Sequence, residues 1–169
     1  MKLFKRILAI ILILSILTGL SIIPYITDHS RIDDDISEFY ILGFEGKAND
    51  YPVNFFLENG QVKVVEYNDS STQETNKGVV VLGIINRSHE TANYSIRVLI
   101  NGEQLEIYYN GEMVKEVGSI ILANEEKWEN EIGIIPDNIG NNQRVDFILY
   151  KKSNPCFNTP PYLWINVRD

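Results

Sequence analysis

The sequence predicts an all-β domain, folded as a two-sheet sandwich and carried behind one N-terminal transmembrane helix. Three observations predict it. Isoleucine, valine and tyrosine are prominent in a chain of 169 residues that is 44% apolar, and such residues favour half-buried strands. After Thr27, short apolar runs alternate with Gly, Asn and Asp turns about every ten residues. Before Thr27 stands an uncharged apolar run long enough to span a bilayer.

The N-terminal run comes first. Residues 1–6 carry Lys2, Lys5 and Arg6, and the apolar segment extends over 7–26. Its 20 residues make about 30 Å of helix. The basic start should stay in the cytoplasm, which places the rest of the chain outside. A cleaved signal peptide is the competing reading, with Ile7 to Leu17 as its apolar core and Gly19 and Ser21 as small residues before a cut. The run continues past both, which favours an uncleaved anchor. The expected partner of 7–26 is then the lipid bilayer. Residues 27–36 follow as an acidic linker with Asp33, Asp34 and Asp35, whose spacing lacks the staggered oxygens and glycine turn of a calcium loop.

From 37 to 169 the chain reads as strands. Phe39 to Leu42 is the first, an edge strand redirected by Gly43 and Gly46. Val62 to Tyr67 is the second, closed by a polar loop, Asn68 to Asn76. Val79 to Ile85 is nearly continuous in apolar residues, as a central strand is. Tyr94 to Ile100 alternates, with Tyr94, Ile96, Val98 and Ile100 on one face. Asn101-Gly102 is a hairpin turn, Leu105 to Tyr109 returns, and Asn110-Gly111 turns again. Ser119 to Leu122, Trp128 to Ile135, Val145 to Tyr150 and Leu163 to Val167 complete the set. Eight or so short strands with such turns indicate an immunoglobulin-like β-sandwich. Trp128 and Trp164 are expected as core or core-edge anchors.

Charge and chemistry narrow the function. The formal charge is −8, and the part beyond the three basic residues carries −11. That surface repels nucleic-acid phosphates. His29 and His89 have no second histidine or cysteine at ligand spacing, so neither metal nor cofactor is expected. Cys156, the one cysteine, has no evident base and excludes a disulfide within the chain. Glu125, Glu126, Glu129 and Glu131 crowd Trp128, but Glu129 and Glu131 share a solvated strand face. No catalytic residue is assigned and an enzyme is not expected. Asn68, Asn86 and Asn93 each open an N-glycosylation sequon.

The stretches Glu38 to Gly43, Gly46-Lys47-Ala48, Asp50-Tyr51-Pro52, Leu82 to Asn86, Tyr94 to Gly102, Glu126 to Glu129, Leu149 to Lys151 and Leu163 to Ile165 together carry a resemblance. The region resembles the archaeal family of predicted membrane proteins called domain of unknown function 1616. The resemblance implies an exported, membrane-attached domain and supplies no catalytic residues. Two roles follow as expectations. One is a structural or binding module of the cell envelope, meeting envelope proteins or glycans. The other is an accessory subunit of a membrane transport or glycan-assembly complex.

Overall fold

A computed structural model of the chain describes residues 37–68 and 71–169. The expected anchor, linker and His29 lie outside these residues. Among the described residues no helix is long and apolar enough to cross a membrane. The described chain is all-β, apart from one 3-10 turn at Phe44–Gly46.

Among the described residues fourteen strands form two sheets. The first sheet orders β1 (Glu38–Leu42), β5 (Gly78–Ile85), β11 (Lys127–Ile134), β8 (Ile107–Tyr109) and β9 (Glu112–Val114). The second orders β10 (Val117–Leu122), β6 (Ala92–Ile100), β12 (Gly140–Lys151), β14 (Tyr162–Arg168), β2 (Asn54–Glu58), β3 (Gln61–Asn68) and β4 (Ser71–Thr75). The short β7 (Glu103–Leu105) and β13 (Asn154–Pro155) pair with β6 and β12. The order β1-β5-β11-β8 facing β6-β12-β14 reproduces the A-B-E-D and C-F-G order of an immunoglobulin sandwich. The β2–β3–β4 hairpins extend the second sheet beyond that frame.

One core joins the sheets. Val80, Leu82, Ile84, Ile132 and Ile134 of the first sheet and Phe55, Ile96, Val98, Phe147 and Ile165 of the second belong to a single buried cluster. The alternation of β6 places Tyr94, Ile96, Val98 and Ile100 inside, as its period of two requires. Strand β5 lies between β1 and β11, and its nearly continuous burial follows. Three two-residue hairpins use Asn-Gly: Asn59-Gly60, Asn101-Gly102 and Asn110-Gly111. Both residues of each have positive φ, which the type I′ turn demands.

Two expectations are corrected. The polar loop from Asn68 contains a strand, β4, that pairs with β3. Its sequence, Ser-Thr-Gln-Glu-Thr, has no apolar alternation to mark it as a strand. The return strand from Leu105 to Tyr109 is two strands in different sheets: β7 flanks β6, while β8 crosses to β11. The chain comes back to the edge of β6 as β10, through a bulge between Val117 and Ile120.

Glycine shapes the outer face of the first sheet. Tyr40 on β1 lies opposite Gly83 on β5, and its ring occupies the space a side chain would take. The ring is held there by its hydroxyl, which donates to Glu129 Oε1 at 2.7 Å. Gly83→Ala is expected to displace the ring and cost about 2 kcal/mol, as overpacking does. Urea unfolding checks it, and the double change Gly83→Ala with Tyr40→Ala should recover part of the loss.

Candidate binding surface

At one end of the sandwich a buried asparagine joins three segments. Asn86 follows β5 and is completely buried. Its Nδ2 donates to the carbonyls of Glu90 at 2.9 Å, Leu122 at 2.9 Å and Ala123 at 3.0 Å. Its Oδ1 accepts from the Ser88 amide at 3.0 Å, the Ser88 hydroxyl at 2.5 Å and the Tyr94 hydroxyl at 2.8 Å. Because Tyr94 has spent its one proton on Asn86, Ser37 Oγ is the donor in its 2.6 Å bond with Tyr94. The cluster closes with every buried side-chain polar atom among the described residues satisfied. Outside it, Arg87 pairs with Glu38 and Glu125 and ties β1 to the β10–β11 turn. Glu38, then Glu125, hold the Arg87 guanidinium above its ordinary pKa.

The side of the sandwich where β1 ends the first sheet is chemically different. A cleft of about 530 Å³ lies between β1 and the approach to β14. Phe39 and Ile41 form one wall, Pro160, Pro161 and Leu163 the other, and Tyr51 lies between the flanking segments in sequence. No lining residue is charged, in a chain that is 22% charged. Phe39 and Phe157 stack with ring centres 6.5 Å apart, and Tyr51 donates its hydroxyl to the Ile41 carbonyl at 3.1 Å.

The neighbouring outer face of the second sheet is aromatic, with two arginines that are each paired to a carboxylate. Tyr162 and Trp164 are 46% and 52% exposed and meet edge to face at 6.2 Å. Arg144 lies 4.4 Å from the centre of the Tyr162 ring while its Nε donates to Asp146 at 2.8 Å. Arg97 sits 4.9 Å from the Tyr150 ring and donates to Glu116 at 2.6 Å. Ser95 first, and Arg97 after it, hold the Glu116 carboxyl below the usual carboxylate range. Trp164 is thus no core anchor. Trp128 is one, half-buried against the core and 6.5 Å from Tyr109.

The remaining sequence candidates are dispersed. Asn93 is exposed on β6. Asn68 ends β3, and the next two residues of its sequon lie outside the described ones. Asn86 devotes its amide nitrogen to the domain's own carbonyls and shows none of it to solvent. His89 is exposed in the turn after β5, and Cys156 is half-buried beside the core. Glu129 is bound by Lys127 and Tyr40, which in that order hold it below the usual carboxylate range. Glu125 points to Arg87 instead. Among the described residues no three His, Cys, Asp or Glu side chains gather as a metal site would need. Sequence reasoning missed the cleft and the aromatic face.

Fold and surface together define a β-sandwich domain with an uncharged cleft at an open sheet edge. The chain belongs to the family described as Domain of unknown function (DUF1616), whose model matches residues 32–166. No curated protein matches the chain. Among solved structures it is similar to the CARDB domain of a Pyrococcus furiosus protein in complex with di-metal ions, at 13% identity over 79% of this chain and 88% of that one, with a TM-score of 0.45. It is also similar to a FixG-related protein from Vibrio parahaemolyticus, at 16% identity over 78% of this chain and 92% of that one, with a TM-score of 0.39.

Proposed function

We propose that this is a membrane-anchored β-sandwich held outside the cytoplasm, a binding module of the archaeal cell envelope that acts without catalysis. The anchoring half of the reading rests on the basic start and the apolar run over 7–26. The binding half is carried by one observation: an uncharged, aromatic and proline-walled cleft of about 530 Å³ on an acidic domain. Clefts of this size and lining are where proteins hold ligands. Envelope proteins are the favoured partners, and glycans are a second class for the exposed Tyr162–Trp164 pair. Of the three sequons, Asn93 and Asn68 are the acceptors this reading selects, since Asn86 is enclosed.

The test is the intact mass of the protein purified from its own membranes. The whole-chain mass, with or without glycan at Asn93 or Asn68, is expected in a fraction that resists alkaline extraction. A mass beginning after Ser21, in a soluble fraction, would overturn the anchor.

A further inference from the structure

The four sheet edges are not equally protected. Exposed edges invite pairing with other chains, and proteins blunt them with bulges, charges, proline or shortness. At the edge of the second sheet β10 is bulged between Val117 and Ile120. At its other edge β4 is a polar Ser-Thr-Gln-Glu-Thr strand. The far edge of the first sheet, β9, has three residues, begins with Glu112 and precedes Lys115. Strand β1 has only one of these devices, the charge of Glu38 at its first residue, and Arg87 pairs with that charge. Glu38–Leu42 pairs with β5 in unbroken register and contains neither proline nor a basic residue.

The direction of its free hydrogen-bonding groups follows from β5. The Asn86 amide bonds to the Glu126 carbonyl on the β11 side. Alternate residues of a strand aim at opposite neighbours, so Ile84 and Leu82 also face β11, and Gly83 faces β1. Gly83 is opposite Tyr40, which makes Tyr40 the residue bonded inward and Phe39 and Ile41 the residues that face out. The Tyr51 hydroxyl on the Ile41 carbonyl agrees with that parity. The Phe39 amide and carbonyl and the Ile41 amide therefore point away from the sheet, at the margin of the uncharged cleft, with no partner among the described residues. Unmet backbone groups along an apolar wall match the backbone of a polypeptide better than a lipid or a sugar.

We propose that β1 is a docking edge for an extended segment of a partner polypeptide. The segment adds beside β1 as a sixth strand of the first sheet and inserts alternate apolar side chains between Phe39 and Pro161. Main-chain bonds to Phe39 and Ile41 supply register, and the cleft selects apolar residues at every second position. The inference deepens the binding-module reading and rests on it.

The test uses the full chain in detergent micelles and a soluble peptide of alternating valine and threonine ended by lysines. Binding is expected, with amide exchange slowed at Phe39 and Ile41. Two variants should each weaken it at least tenfold. Ile41→Pro removes an outward amide from an edge position, and Thr159→Lys places a charge in the cleft without altering β1. Should Ile41→Pro fail to fold, Thr159→Lys and the exchange data still decide. The same peptide with proline at two central positions should bind at least tenfold more weakly. Equal binding of the proline peptide would mean apolar capture without strand pairing and would overturn the proposal. So would absence of binding, or binding that leaves Phe39 and Ile41 exchange unchanged. A chain that is dimeric and becomes monomeric with Ile41→Pro would overturn it in favour of a second copy as occupant. None of these outcomes depends on the membrane anchor, so failure here is separable from failure of the intact-mass test.

Discussion

Asn86→Ala is expected to destabilise the folded domain by about 3 kcal/mol and to lower its melting temperature by about 10 °C. The side chain bonds three carbonyls from two loops and accepts three donors. Alanine leaves the Leu122 carbonyl and the Ser88 and Tyr94 donors without that partner in a buried site. Each such orphan costs on the order of 1 kcal/mol or more. Tyr94→Phe removes one bond to Asn86 and one to Ser37, and should cost about 1 kcal/mol. Asn86→Asp should be at least as damaging as alanine, because a carboxylate would face three carbonyl oxygens without a proton to give. Urea denaturation of the three variants checks the order. A loss under about 0.5 kcal/mol for Asn86→Ala would mean that the cluster is not structural.

The second large effect separates two neighbours. Phe55 and Phe56 are adjacent on β2, but Phe55 is fully buried and Phe56 is 37% exposed. The Phe55 ring reaches the other sheet, where it fills the space beside Gly78. Phe55→Ala should cost about 4 kcal/mol through lost burial and the cavity left behind. Phe56→Ala, on the outer face, should cost less than about 1 kcal/mol. Thermal unfolding of both variants reads the difference. Equal losses would mean that β2 is shifted by one residue, because a one-residue slip exchanges its faces.

Local pattern made most of the sandwich readable. The alternation from Tyr94 to Ile100 and the unbroken run from Val79 to Ile85 state their own burial. Asn101-Gly102 and Asn110-Gly111 state their own turns, and Asn59-Gly60 carries the same signal ahead of β3. Where local pattern is silent, the reading failed. Ser71–Thr75 is polar on both faces, so nothing in it separates an edge strand from a loop. Leu105 to Tyr109 looks continuous because the choice of sheet is made by distant neighbours, β6 for one half and β11 for the other.

The surface was less legible than the fold. The exposure of Tyr162 and Trp164 was open to inference, since Leu163, Ile165 and Val167 claim the inner face by alternation. The cleft was not, because its walls come from residues near 40 and near 160. Asn86 presents an Asn-Arg-Ser sequon to a sequence reader, and only the fold shows its amide enclosed. Its place at the end of the apolar run Val79 to Ile85 was the one local sign of burial.

Strand β14 lies inside the second sheet, between β12 and β2, and its contact with β2 is a parallel one that aligns Asn166 with Asn54. A ribosome makes the β2–β3–β4 hairpins long before it makes the strand that holds them. They must wait, with their apolar face uncovered, until Tyr162–Arg168 arrives. Pairing across such a sequence distance carries a large loop-closure entropy and slows folding. A chain cut short before Tyr162 would lose one strand and the seating of three more.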